Sequence, residues 1–174
     1  GDPCTHTIRC CIHYSMEENA FEYFNPDGDI ITREEARKIL DAADREGLVH
    51  LTYNAVDVPA AFLCSCCPCC CGLLRGIKEY HSPYAIARSN YVAHIDQDTC
   101  VNCGTCRDER CPMDAIVEED GNYRVLEKRC IGCGVCVITC PSESLTMRER
   151  PITGRDEIAK DMMDWSVRRL MHRN

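Results

Sequence analysis

Residues 100–116 read CVNCGTCRDERCPMDAI, and residues 130–145 read CIGCGVCVITCPSESL. The second copy begins 30 positions after the first. Both carry Cys-x-x-Cys-Gly-x-Cys, then Cys-Pro, then an apolar residue opening a predicted strand. Steps of three residues in a tight loop turn three sulfurs toward one centre, and a fourth cysteine from elsewhere closes a tetrahedron. A [4Fe–4S] cube demands that arrangement of four thiolates. The glycines after Cys103 and Cys133 let backbone amides approach cluster sulfurs, where N–H dipoles offset negative charge. Zinc competes for paired Cys-x-x-Cys elements. Two copies of three evenly spaced cysteines, each followed by Cys-Pro, favour the cube.

The whole chain has 174 residues with 17 cysteines, 28 acidic and 20 basic side chains, and a formal charge of −8. Three Phe, seven Tyr and one Trp supply few large side chains for a core. A small chain of that kind needs staples, and cysteine is the staple in excess here. An odd number of thiols cannot all pair as disulfides. Net acidity argues against nucleic acid as a partner, because phosphate contacts need clustered Lys and Arg. No stretch approaches the roughly 18–20 apolar residues of a membrane span. Residues 1–20 show no basic start followed by an apolar run, so the expected location is the cytoplasm. The lack of Met at position 1 is read as a processed chain or part of a longer one.

Three segments are expected: a helical, cysteine-rich domain over 1–90, a cluster-binding domain over 91–150, and an amphipathic helix over 151–174. Ser15 and Glu18 form a capping box opening a first helix, with Met16, Ala20, Phe21 and Phe24 on its apolar side. Asn25-Pro26-Asp27-Gly28-Asp29 ends it as a turn rather than as a cation loop. Thr32 and Glu35 form a second capping box, Ala36, Ile39, Leu40 and Ala43 make the apolar stripe, and Gly47 is the C′ residue. Leu48–Tyr53 is expected to be extended. Leu73–Tyr80 continues as a helix until Ser82-Pro83 ends it. In the tail, Thr153–Arg173 reads as one helix with Ile158, Met162, Trp165, Leu170 and Met171 near a common face.

Cys64-Ser65-Cys66-Cys67-Pro68-Cys69-Cys70-Cys71 places six thiols in eight residues. No single regular backbone conformation aims all six at one point, but a turn at Pro68 directs some inward and the rest elsewhere. With Cys4, Cys10 and Cys11 these make nine cysteines outside the repeat, enough for one further four-thiolate centre and arithmetically for two. The favoured reading is a third Fe–S cluster built from part of 64–71 with Cys10 or Cys11, Cys4 being a further candidate. His6 and His13 are possible substitutes as ligands. A zinc site ranks second and redox-active thiols third. A disulfide cage fits poorly beside clusters that need a reducing compartment. There is no GxGxxG or P-loop for a nucleotide.

The span from Val92 to about Met147 resembles the bacterial dicluster ferredoxin domain, a pseudo-symmetric pair of βαβ-like halves. The resemblance implies an α+β fold and low-potential one-electron transfer without substrate chemistry of its own. It also implies that the Cys-Pro cysteine of each copy ligates the other cluster. Cluster I would then take Cys100, Cys103, Cys106 and Cys140, and cluster II Cys130, Cys133, Cys136 and Cys111. The first copy departs from the pattern, with four residues between Cys106 and Cys111 where the second has three. Burial by Ile131, Val135, Val137 and Ile138 and nearby acidic charge would tune the potential. Residues 96–127 hold nine acidic and three basic side chains, a face for a basic partner or simply a solvated one.

The run EEARKILDAADREGLVHL, then LCSCCPCCCGLLRG, then the repeat is similar to a family of anaerobic prokaryotic iron–sulfur proteins. That likeness covers nearly the whole chain. It implies a redox partner protein, with further cluster ligands upstream of Gly1 in a larger polypeptide. Similar modules on reductive activators of corrinoid methyltransferases make an enzyme host the alternative. A cluster-wired scaffold subunit of a larger complex is a third reading, with Trp165 and Leu170 as its anchors.

Overall fold

In the computed structural model the residues described are 4–17, 20, 28–58, 60–82, 85–87, 89–151 and 158–171. The expected first helix falls mostly outside them, as do Glu18 of its capping box and the start of the turn at its end.

The elements run β1 (Ile12–Ser15), α1 (Arg33–Arg45), β2 (Val49–Leu51), β3 (Ala60–Cys66), α2 (Gly72–Lys78), β4 (Tyr91–Ile95), a π-helix (Cys106–Arg110), β5 (Ile116–Glu119), β6 (Asn122–Val125), α3 (Val135–Ile138), β7 (Leu145–Glu149) and α4 (Met162–Met171). Thr32 caps α1: its hydroxyl accepts from Glu35 N–H at 3.2 Å, and the Glu35 carboxylate accepts from Thr32 N–H at 2.7 Å. Gly47 follows the helix with φ of +79°, the left-handed turn that glycine adopts without cost.

The cysteine-rich segment departs from the helical expectation. It contains a three-stranded antiparallel sheet in the order β1-β3-β2. The physical reason lies in Ala60-Ala61-Phe62-Leu63-Cys64-Ser65-Cys66, whose alternate residues line opposite faces of an extended strand. Val49 pairs with Cys66, His50 with Ser65 and Leu51 with Cys64. One face of β3 therefore presents Cys64 and Cys66, and the other presents Ser65, whose hydroxyl meets His50 Nδ1 at 3.1 Å.

Beyond residue 90 each half is a strand, a cysteine loop, a short helix and a strand. β4 pairs with β7, and β5 pairs with β6. The β5–β6 hairpin turns on Asp120 (φ +51°) and Gly121 (φ +78°), the two-residue type that matches strand twist. The repeat is visible in the backbone itself. Asn102 and Gly132, 30 positions apart, are both left-handed (φ +51° and +72°), as are Gly104 and Gly134 (φ +80° and +77°). Asp114 and Glu143 match in the same way, but 29 positions apart.

The missing position is the extra residue of the first copy, and the π-helix absorbs it. Cys111 N–H donates to Cys106 C=O at 3.0 Å, five residues back, where the second copy makes a tighter turn from Cys140 N–H to Val137 C=O at 3.2 Å. A π-bulge is a common way to add one residue without displacing its neighbours in the chain. The bulge also aims Arg110 outward, and its guanidinium donates to the carbonyls of Asp44 (2.7 Å) and Arg45 (2.9 Å). Both carbonyls lie in the last turn of α1, where Asp44 C=O also accepts from Gly47 N–H at 3.0 Å, and such a helix end favours a cation. Arg110→Ala is expected to cost about 1–2 kcal/mol of stability. Anaerobic thermal unfolding followed by far-UV circular dichroism measures it, and an unchanged midpoint would show the contact to be idle.

One buried cluster joins the cysteine-rich segment to the repeat. Val49 and Leu74 pack with Met113, Ala115 and Val135. A second, Cys10 with Ala43, Leu48 and Cys67, lies on the Ser65 side of the sheet. The tail also differs from expectation. Its helix begins at Met162, where Asp161 accepts from Asp164 N–H at 2.9 Å. Ile158 precedes the helix, and Ala159 bridges to Ala55.

Candidate metal centres

Two cavities lie side by side in the repeat. One is lined by Cys100, Cys103, Cys106 and Cys140 together with Ile95, Tyr123 and Leu145. The other is lined by Cys111, Cys130, Cys133 and Cys136 together with Met113 and Ile131. Cys136 reaches the wall of both. Each cavity thus meets three thiols from one copy and the Cys-Pro thiol from the other.

The donors suit an iron–sulfur core. All eight thiols are free. Burial, with Cys103 and Cys100 nearby, pushes the Cys106 thiol up to about 11. Burial likewise raises Cys133 to about 11 and, with Cys133 and Cys111 alongside, Cys136 to about 12. Thiols gathered this closely resist ionisation unless a cationic core neutralises them, and iron supplies that. Cys140 behaves differently. Burial raises it, but hydrogen bonds from the Ser144 and Ser142 side chains and nearby backbone outweigh this and bring it down to about 7. Ser144 Oγ lies 3.3 Å from Cys140 Sγ, and Ala115 N–H donates to Cys111 Sγ at 3.2 Å. Hydrogen bonds to the sulfurs are a main lever on cluster potential.

Gly104 illustrates how tightly the loops are drawn. A Cβ at that position would sit 2.9 Å from Asp108 Oδ2 and 3.2 Å from Tyr123 Oη. Of the four apolar residues expected to shield the clusters, Val135 is buried and Ile131 and Val137 are half-buried. Ile138 is 57% exposed, because α3 is a single turn and carries it outward. The acidic face is partly spoken for: Arg107 pairs with Asp108 and Glu118, Arg124 with Glu119, and Lys78 with Asp114.

Arg150, a residue that motif spacing does not mark, is 2% exposed. It donates to the carbonyls of Cys130 (2.7 Å), Ser89 (3.1 Å) and Glu127 (3.3 Å). It therefore holds the entry to the second cysteine loop from behind.

The nine remaining cysteines separate by strand geometry. Extending the β1–β3 register by one residue places Cys11 opposite Cys64. Cys64 contacts both Cys11 and Cys66, and Cys66 contacts Cys71, with burial the first reason both Cys64 and Cys66 are raised. Cys66 and Cys71 pack against the Val49–Leu74–Val135 cluster, which Cys111, Cys130 and Cys133 also touch. On the opposite side, Cys4, Cys67, Cys69 and Cys70 come together. Cys10 lies between the two sets, touching Cys11 on one side and packing with Cys67 on the other, and its buried thiol lies 3.3 Å from the Ser65 carbonyl and 3.4 Å from that of Thr7. His6 Nδ1 lies 3.2 Å from Cys4 Sγ. His13 is in β1, paired with Phe62. The alternation Cys64-Ser65-Cys66 was the available signal for this division.

Residues 93–147 match the 4Fe-4S dicluster domain family. That stretch is a 4Fe-4S dicluster domain. Among its relatives is Electron transport protein HydN of Escherichia coli (strain K12), 31% identical over 71 residues, 38% of this chain and 41% of that protein. Uncharacterized ferredoxin MJ0155 of Methanocaldococcus jannaschii is 31% identical over 86 residues, 48% of this chain and 54% of that protein. Archaeal-type glutamate synthase [NADPH] of Dehalococcoides mccartyi is 30% identical over 69 residues, 38% of this chain but 14% of that protein. The chain thus spans about half or less of the relatives it matches. Among the described residues no helix is long and apolar enough to cross a membrane.

Proposed function

We propose that this chain carries single electrons at low potential to or from a redox partner protein. Cys100, Cys103, Cys106 and Cys140 would hold one [4Fe–4S] cluster, and Cys111, Cys130, Cys133 and Cys136 the other. When bound, such clusters supply reversible one-electron chemistry. The observation that carries this reading is the pair of adjoining thiol-lined cavities, each completed by a cysteine from the opposite repeat.

The protein's own part is to hold, insulate and bias. Ile95, Tyr123 and Leu145 exclude water from the first cavity, and Met113 and Ile131 from the second. Serine hydroxyls and backbone amides stabilise the ligand sulfurs at Cys140 and Cys111. Cys11, Cys64, Cys66 and Cys71 would hold a further Fe–S centre. Two of its thiols, Cys66 and Cys71, share an apolar cluster with Cys111, Cys130 and Cys133 of the second cavity, which supports a relay from the cysteine-rich segment into the dicluster domain. HydN, named an electron transport protein, is consistent with a carrier.

A second reading is a wired subunit of a larger assembly. The tail helix favours it, since Met163, Leu170 and Met171 are exposed apolar residues on ten residues of chain. Iron and acid-labile sulfide per chain, measured on anaerobically purified protein, test the main reading. Roughly twelve of each are expected for three four-iron centres. Roughly eight would confine iron to the repeat, and a value near zero would remove the electron-transfer reading altogether.

A further inference from the structure

We propose that Cys4, Cys67, Cys69 and Cys70 form a separate site for a single divalent metal ion, bound by four thiolates in a tetrahedron. The site goes beyond the Fe–S centres above and does not depend on them.

The argument begins with the chain. β3 delivers Cys67 to the face opposite Cys66, because successive residues of a strand point to opposite sides. The turn at Pro68 then folds back, with Cys71 N–H donating to Cys67 C=O at 3.1 Å. That return brings Cys69 and Cys70 beside Cys67, while Cys71 passes on as the cap of α2 and faces the other set. Cys4 arrives from the start of the chain, packed against the Cys10–Ala43–Leu48–Cys67 cluster.

Spacing then decides the kind of centre. The four sulfurs all lie within 4.8 Å of one another. Among the described residues this is the only group of three or more His, Cys, Asp or Glu whose ligand atoms meet that limit. Cys4 Sγ is 3.6 Å from both Cys67 Sγ and Cys69 Sγ, and Cys67 and Cys69 are 2.9 Å apart. One ion with metal–sulfur bonds of about 2.3 Å sets tetrahedral sulfur–sulfur edges of roughly 3.8 Å. A cube places each thiolate on a different iron and holds the sulfurs farther apart. The compact set is therefore built for one ion.

The chemistry of the donors narrows the ion. Four thiolates with no carboxylate select zinc or ferrous iron over magnesium or calcium. His6 at 3.2 Å from Cys4 Sγ supplies an outer partner of the kind that orients a metal ligand. The ion would pin the chain start to the turn at 67–70, closing a loop of more than sixty residues around α1 and the sheet.

The test uses the full chain, purified anaerobically, as wild type, Cys69→Ser and Cys70→Ala. Both altered residues are exposed, so the fold has no reason to fail. Zinc, iron and acid-labile sulfide are counted per chain. The expected result is loss of one metal equivalent in each variant with sulfide unchanged, and the identity of the lost metal separates zinc from iron. X-ray absorption at the edge of that metal in the wild type should show sulfur neighbours near ~2.3 Å and no neighbouring iron. Loss of several irons together with sulfide would make the site a cluster and overturn the proposal. Unchanged metal content in both variants would overturn it too, leaving these four as free thiols. A shortfall of sulfide in the wild type would count against the Fe–S reading and leave this one standing.

Discussion

Cys111→Ser is expected to remove the cluster whose other ligands are Cys130, Cys133 and Cys136, while the cluster of Cys100, Cys103, Cys106 and Cys140 survives. Cys111 sits in the first repeat by sequence but lines the cavity of the second. The π-helix from Cys106 to Arg110 takes up the additional residue, so Cys111 keeps the position that the regular spacing would give it. A serine in its place offers a harder, more weakly binding oxygen on a shorter side chain. The variant should lose roughly four irons per chain and one of the dicluster domain's two reduced-state electron paramagnetic resonance signals. Loss of the other signal, with this one intact, would show that each repeat ligates its own cluster.

Arg150→Met should destabilise the protein by about 3 kcal/mol or more, the second large effect. The arginine is buried and donates to the carbonyls of Cys130, Glu127 and Ser89. Methionine fills much of the same volume yet leaves those carbonyls without their donor in a dry site, at about 1–3 kcal/mol each. The damage should concentrate at the loop beginning with Cys130. Anaerobic heating followed by visible absorbance would show the colour of one cluster bleaching well before the rest. Uniform bleaching at the wild-type temperature would reduce Arg150 to inert filling.

Much of this architecture was legible in the residues. The 30-residue repeat, the capping box at Thr32 and Glu35 and the glycine at 47 each have a local cause, so each could be read locally. The pairing of Cys140 with the first copy's cysteines came from resemblance, since spacing alone does not say which loop faces which cavity. The features that escaped reading depend on contacts distant in sequence. The 60–66 segment is rich in alanine and cysteine, which give no strong strand signal, and it becomes a strand because β1 and β2 flank it. Arg110 and Arg150 look like any surface arginine until carbonyls from other elements converge on them. The tail helix was drawn too long because its apolar spacing continues through Ile158, whereas the backbone there is committed to bridging residues 55–57. The six middle cysteines could be counted, and the need for a turn at Pro68 could be seen. Their division into two sets required the strand's alternation and the position of Cys4.

A reductive titration of the anaerobic protein, followed by electron paramagnetic resonance at each step, tests the central claim most directly. Two adjoining clusters that each accept one electron should first give separate signals. These should then broaden and split as both fill, because the reduced centres lie against a common wall at Cys136. A protein that takes up no electrons within the range of low-potential ferredoxins, or shows no magnetic signal on reduction, would contradict it and leave the cysteines holding redox-silent metal.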